Sequence, residues 1–251
     1  MVALSRRTGS SFVLAAALVR TGLTALRATA PGGRERWERK NHAGRTVDLY
    51  AGPACAVAAA ARVRPAAGFA VLAAGACGAY DDAVGAGDPR RGFRAHLSAL
   101  RDGEVTGGAV KLSGISAAGL AAGAVLKERP LDKVLAGVVV AGAAHVVDLL
   151  DVRPGPAGAS VLALGAPGLP RKGPGAEAAA SAAMGAAAAV PLDDLAERTM
   201  LGDTGAHALG AALGVAVAAG NGRAGLAAHA VALVAAASCG EKVSEAARSL
   251  V

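Results

Sequence analysis

Ala66-Ala67-Gly68-Phe69-Ala70-Val71-Leu72-Ala73-Ala74-Gly75-Ala76-Cys77-Gly78-Ala79-Tyr80-Asp81-Asp82 is the stretch that decides the fold. From Ala66 to Tyr80 it carries no charge, and two carboxylates then stand side by side. A long uncharged run of small apolar residues suits a helix in lipid. Adjacent carboxylates repel each other, so a site that keeps both ionised supplies a cation. At the mouth of a membrane helix this points to Mg²⁺ and a phosphorylated ligand. Arg90, Arg91, Arg94 and Arg101 follow directly and suit an anion.

Uncharged or nearly uncharged runs recur at roughly 11–30, 51–61, 66–80, 108–126, 134–147, 157–169, 178–192, 204–220 and 224–240. A spanning helix needs about 20 apolar residues, so the shorter runs must borrow flanking residues or pack inside a bundle. Alanine and glycine suit that packing, because small residues let helix backbones approach in lipid. The pattern predicts an all-α, polytopic transmembrane helix bundle of about nine spans (8–10). It also predicts one integral membrane domain over residues 1–251.

Composition narrows the function classes. The chain is 53% hydrophobic but only 2% aromatic, with 35 glycines and a net charge of +7. A basic balance suits nucleic acid, anionic lipid or an anionic substrate. Three Phe, two Tyr and one Trp are too few for a stacking platform, which argues against nucleic acid. A soluble alanine-rich helical protein would show charged outer stripes, whereas 204–220 and 224–240 are apolar all round. Cys55, Cys77 and Cys239 lie in apolar runs without ligand spacing and read as small buried hydrophobes.

The N-terminus imitates a signal peptide, with Arg6-Arg7, an apolar run from Phe12 to Val19 and Ala28-Thr29-Ala30. Arg20 and Arg27 interrupt the region where core and cleavage site should meet, so a retained first membrane helix is expected. Polar segments alternate between two kinds. Segments 31–50, 81–107, 148–156 and 193–203 hold 14 of the 19 acids, and the first two are rich in arginine. Those near 62–65, 127–133, 170–175 and 221–223 are short turns of Arg, Lys, Pro and Gly. The excess of Arg and Lys in 31–50 and 81–107 places the acidic set in the cytoplasm.

Four acidic clusters fall in that set: Asp81-Asp82, Asp148 with Asp151, Asp193-Asp194, and Asp203. Acids near helix ends also serve simply as caps. Their shared side and the Gly-rich turns beside them favour a site. Asp203 stands in Leu201-Gly202-Asp203-Thr204-Gly205-Ala206-His207, where Thr204 is a candidate cap and the helix N-terminus can face an anion. His145, Asp148 and Asp151 follow at three-residue spacing, which predicts one helical face. No Walker loop, CxxC pair or Ser/His/Asp arrangement is visible.

Met200-Leu201-Gly202-Asp203-Thr204-Gly205-Ala206, the Asp81-Asp82 pair after a membrane helix, and Asp148-Leu149-Leu150-Asp151-Val152-Arg153-Pro154-Gly155 carry a resemblance. Lys40-Asn41-His42-Ala43-Gly44, Gly92 to Leu97, Gly103 to Lys111 and Ser238 to Ser244 support it. The chain resembles the polyprenyl-phosphate N-acetylhexosamine-1-phosphate transferases, in a compact actinobacterial branch. The similarity runs from about residue 35 to the C-terminus.

The resemblance implies a multi-pass enzyme of the cell membrane with a cytoplasmic active site. It would move a sugar 1-phosphate from a UDP-sugar to a polyprenyl phosphate, releasing UMP with Mg²⁺ as cofactor. By that resemblance Asp81, Asp82 and Asp203 are catalytic, and Asp203 with Asp82 binds the metal. Lys111, His145, Asp148, Asp151 and His207 would bind substrate, and a homodimer stays open. Relatives carry asparagines where His145, Asp148 and His207 align. A carboxylate in place of an amide removes a donor and repels a diphosphate. The alternative reading is therefore a catalytically impaired paralogue that binds lipid phosphate or a partner protein. A transporter would place ionisable groups at mid-bilayer, whereas the acids here fall at helix ends.

Overall fold

Alanine has the highest helix propensity and proline and glycine punctuate it, so the uncharged runs fold as helices. The computed structural model describes residues 6–84, 93–169 and 175–250. In chain order the helices are α1 (Arg6–Thr29), α2 (Ala51–Ala60), α3 (Pro65–Val84), α4 (Phe93–Arg101), α5 (Gly107–Leu126) and α6 (Pro130–Leu149). There follow α7 (Pro156–Gly165), α8 (Ala176–Ala188), α9 (Pro191–Asp194), α10 (Gly202–Gly220), α11 (Arg223–Ser238) and α12 (Gly240–Ser249). Each uncharged run therefore contains a helix. Arg90 and Arg91, and 170–174 of the expected basic turn, lie outside the described residues.

Three helices are long and apolar enough to cross a membrane: α1 over Thr8–Thr29, α5 and α6. Helices α11 and α12 pass the same test together as a pair bent by 78°, which makes four at most among the described residues. That falls short of the nine expected spans, and helix length explains much of the difference. Helices α2 and α7 have 10 residues and α8 has 13. At about 1.5 Å per residue they reach roughly 15–20 Å, well under a hydrocarbon core of about 30 Å. Helices α3 and α10, at 20 and 19 residues, have the length but carry acids in an end turn.

Helix α10 is the axis of the bundle. It packs against α6, α3, α8 and α2, and its residues from Thr204 to Ala216 are buried. Glycines permit the approach. A Cβ at Gly210 would lie 2.5 Å from the Ala143 carbonyl oxygen, and one at Gly214 2.6 Å from the Val140 Cα. Close backbone packing of this kind suits helices in lipid. Large apolar side chains remain exposed on the outer helices, among them Val13, Phe69, Leu120 and Val231. A lipid environment accounts for such a surface.

Helix α1 buries Ala15, Val19 and Leu23 and packs against α8 and α2. The arginines that interrupt the signal-like pattern are ion-paired in it. Arg20 meets Asp193 at 2.5 Å, and Arg27 meets Asp48 at 2.9 Å and Asp193 at 3.4 Å.

Segment 31–50 departs from an all-α reading. Strands β1 (Glu38–Lys40) and β2 (Thr46–Asp48) pair antiparallel around a turn closed by Asn41. Asp48 extends the ribbon through a parallel bridge to Thr199. The hairpin thereby ties the chain after α1 to the segment entering α10.

The helices alternate in direction, so like ends gather. The C-terminal turns of α3 and α6 meet the N-terminal turns of α5 and α10 at one end. At the other, Lys127 Nζ donates to the Asn221 carbonyl at 2.8 Å and Arg223 pairs with Asp132 at 2.6 Å.

Candidate functional site

Lys111 is the hub of the acidic end. It sits in the second turn of α5, whose N-terminus is capped by Thr106: the Thr106 hydroxyl oxygen accepts from Ala109 N at 3.1 Å. Its ammonium lies 2.5 Å from Asp203 Oδ2, 3.1 Å from Asp81 Oδ2 and 3.8 Å from Asp148 Oδ2. Three acids from three helices thus converge on one cation. The Lys111 side chain is 19% exposed, so these contacts are shielded from bulk solvent and strengthened.

Asp81 and Asp82 divide their work. Asp82 turns away from Lys111 and covers the start of α10. Its carboxylate accepts from Asp203 N at 3.0 Å, Thr204 N at 3.0 Å and the Thr204 hydroxyl at 2.6 Å. No side chain at the local cap position of α10 does this, so α3 caps α10 across the bundle. Thr204, expected as the cap, is a donor to it. Arg39 of the hairpin donates to the Asp82 carbonyl oxygen at 2.7 and 3.2 Å. Asp82 and Asp203 therefore do not share a cation position; Asp81 and Asp203 do.

Gly202 makes the capped turn feasible. Its φ of +59° is left-handed, and a Cβ there would lie 3.0 Å from Asp82 Oδ1. Gly78, one turn before Asp82, faces the Asp203 backbone so closely that a Cβ would overlap its carbonyl.

His207 lies one turn beyond Asp203 and is 1% exposed. Its Nδ1 is 2.6 Å from the Asp203 carbonyl oxygen, which accepts from it and so makes Nδ1 the protonated nitrogen. Nε2 has no hydrogen-bond partner and stands 3.6 Å from Asp148 Oδ2. His145, a turn before Asp148, borders the same space. Asp151 does not continue that face, because α6 ends at Leu149 and the chain turns before it. Burial holds the Asp151 carboxyl well above the usual carboxylate range, and the charges of Asp194, Asp148 and Asp82 add to the shift.

Asp81, Asp148 and Lys111 border a cavity of about 560 Å³ between α5, α6 and α11, with Asp203 behind Lys111 and outside its lining. Asp81, His96, Lys111, His145, Asp148 and His207 line its polar part. Leu112, Ile115, Leu120, Val138, Leu233 and Val234 line the rest. His96, in the arginine-rich segment 81–107, sits against Gly108 with its Nδ1 3.0 Å from the Thr106 hydroxyl oxygen. Its partner Thr106 lies ten residues on, across the turn from α4 to α5, so no local spacing marks it.

The chain matches no protein-family model, and no curated protein is significantly similar to it.

Asp193 and Asp194 form a separate station. Asp193 is held by Arg20, Arg27 and Arg198. Burial alone would raise its carboxyl, but these arginines bring it down to about 2. Asp194 accepts from Gly155 N at 2.8 Å and is otherwise buried, with Asp151 and Cys55 near enough to feel its charge. Burial pushes its carboxyl up to about 6.

Among the described residues, no group of three His, Cys, Asp or Glu side chains is spaced to enclose a metal ion. Asp81 and Asp203 do present carboxylate oxygens to one point, and the Lys111 ammonium occupies it.

Proposed function

We propose that the chain transfers a sugar 1-phosphate from a UDP-N-acetylhexosamine-type donor to a polyprenyl phosphate, releasing UMP. The setting is the cytoplasmic face of the cell membrane, and the product would prime a cell-envelope polysaccharide. One observation carries the reading: Asp81, Asp148 and Lys111 line one end of a cavity that is elsewhere mostly apolar, and Asp203 pairs with the same Lys111. A phosphorylated lipid has the same division, with an anionic head and a hydrocarbon tail. Helices α3 and α10 act as further spans in this topology, with the acidic ends cytoplasmic and the Lys127 and Asn221 turns outside.

The reaction exchanges one phosphoanhydride for another. An oxygen of the lipid phosphate attacks the sugar-bearing phosphorus of the donor. The bond from that phosphorus to the UMP oxygen breaks, and UMP leaves with the electron pair. Lys111 holds phosphate oxygens as a point charge and balances the neighbouring acids. Asp203 and Asp81 would hold Mg²⁺, which when bound supplies charge neutralisation at the diphosphate. Asp82 positions Asp203 through the capped turn of α10. His145, Asp148 and His207 form the wall facing the donor, with Asp151 behind them.

A second reading rests on the same cluster. Lys111 already occupies the point where the acids converge, and Asp148 with two histidines faces the donor side. A lipid-phosphate-binding protein without transfer activity suits that arrangement. Purified protein supplied with undecaprenyl phosphate, Mg²⁺ and a panel of UDP-sugars separates the two. Release of UMP that is lost in Asp203→Asn supports transfer. No UMP from any donor, with retained binding of polyprenyl phosphate, overturns it in favour of the binding protein.

A further inference from the structure

A second cavity, of about 190 Å³, lies away from Lys111, bordered by Arg27, Arg34, Glu38, Asp48 and Tyr50. Two of these residues each carry a buried polar atom without a hydrogen-bond partner: the Tyr50 hydroxyl and Arg27 Nη2. Tyr50 is only 4% exposed, so water at the surface does not satisfy it. An orphaned buried donor costs about 1–3 kcal/mol, and two of them on residues that border one cavity point to a bound group.

The wall specifies what that ligand carries. Arg27 is partly spent, since its Nε donates to Asp48 at 2.9 Å and Nη1 reaches Asp193 at 3.4 Å. Its Nη2, the Tyr50 hydroxyl and the Arg34 guanidinium remain as donors, which suits a phosphate. Glu38 supplies an unspent carboxylate at the same cavity, which suits an ammonium group. Among the described residues neither the Arg34 nor the Glu38 side chain enters an ion pair. A phosphate beside an ammonium is the chemistry of phosphoethanolamine.

The position indicates the source. Arg27 stands in the last turn of α1, the first candidate span, so the cavity opens at a membrane boundary. Trp37 stacks on Tyr50 with ring centroids 5.1 Å apart, and Trp37 Nε1 donates to the Pro31 carbonyl at 2.8 Å. Tryptophan and tyrosine favour this interfacial depth. We infer that the cavity formed by Arg27, Arg34, Glu38 and Tyr50 binds the phosphoethanolamine headgroup of a membrane lipid.

None of these residues lines the Lys111 cavity, so the test is independent of the transferase reading. The purified full chain in detergent is titrated with phosphatidylethanolamine, phosphatidylglycerol or inorganic phosphate. Thermal unfolding and native mass spectrometry are the readouts. Phosphatidylethanolamine is expected to raise Tm and to be retained by the protein. Tyr50→Phe keeps the ring on Trp37, and Arg34→Ala alters an exposed residue. Each is expected to weaken that binding about tenfold, the loss of one hydrogen bond to a charged group. Glu38→Gln is expected to erase the preference over phosphatidylglycerol. Equal effects of the two lipids on the unaltered chain overturn the ammonium assignment. An equal effect of inorganic phosphate overturns the lipid source. Unchanged binding in both Tyr50→Phe and Arg34→Ala overturns the site.

Discussion

Asp82 Oδ2 accepts a hydrogen bond from the Thr204 hydroxyl at 2.6 Å, joining the last turn of α3 to the first turn of α10. The same carboxylate takes the backbone N–H groups of Asp203 and Thr204. Three donors at one helix start fix where Asp203 points. Asp82→Ala is expected to lower stability by about 2 kcal/mol, the upper range for loss of a helix cap. Asp82→Asn keeps one acceptor and should lose less. Thermal unfolding in detergent checks this order; equal Tm values for Asp82→Ala and the unaltered chain would remove the cap.

Gly202 should tolerate no side chain. A residue other than glycine at φ +59° carries backbone strain, and its Cβ would press on Asp82. Gly202→Ala is expected to cost about 1–3 kcal/mol for the strained conformation alone. Gly78→Ala should be worse, because the overlap is with the Asp203 backbone rather than a side chain that can shift. Limited proteolysis and Tm in the same detergent rank the two variants. A Gly78→Ala protein as stable as its parent would contradict the packing of α3 on α10.

Lys111→Met leaves Asp81, Asp148 and Asp203 facing one another without their cation. Removing one partner of a buried charge cluster costs about 3–5 kcal/mol. The double variant Lys111→Met with Asp203→Asn relieves part of that repulsion and should recover part of the Tm. UMP release should be absent in both, since neither can hold phosphate at the hub. Failure of the second substitution to recover any stability would mean that Lys111 and Asp203 act independently.

Helix positions were legible because alanine-rich runs bounded by Arg, Pro and Gly leave few alternatives. The gathering of Asp81, Asp148 and Asp203 at one end was legible too, since charge alternates between two kinds of segment. Span number was not, because apolar runs such as 51–61 look alike whether they cross lipid or stop inside a bundle. The roles within the Asp81-Asp82 pair were hidden for another reason. Successive residues on a helix point about 100° apart, so one faces Lys111 while its neighbour faces α10. Only the three-dimensional partners reveal which is which. The β1–β2 ribbon was masked by its shortness and by arginines that read as a charged loop. Lys111 gained its place at the hub from long-range packing of α5 on α3 and α6, which no local pattern records.

The Asp193-Asp194 station predicts an unusual pH profile. Asp194, raised to about 6, favours folding in its neutral form. That contribution is complete below its ordinary value and is lost as pH rises through about 6. Asp193, lowered to about 2, works in the opposite direction. Its contribution is complete above the ordinary carboxylate value and is lost as pH falls toward about 2. Together they place the optimum of this station near pH 4, the ordinary carboxylate value, with stability declining toward neutrality. Asp194→Asn keeps an acceptor for Gly155 N and carries no charge, so it should flatten the decline between pH 4 and 7. Arg20→Met should lower stability above pH 4 and make the acid-side loss shallower, because with fewer cations the Asp193 carboxyl returns toward its ordinary value. Denaturation midpoints measured across pH 3–8 check both. If Asp194→Asn has the same slope as the unaltered chain, the burial of Asp194 is not what sets it.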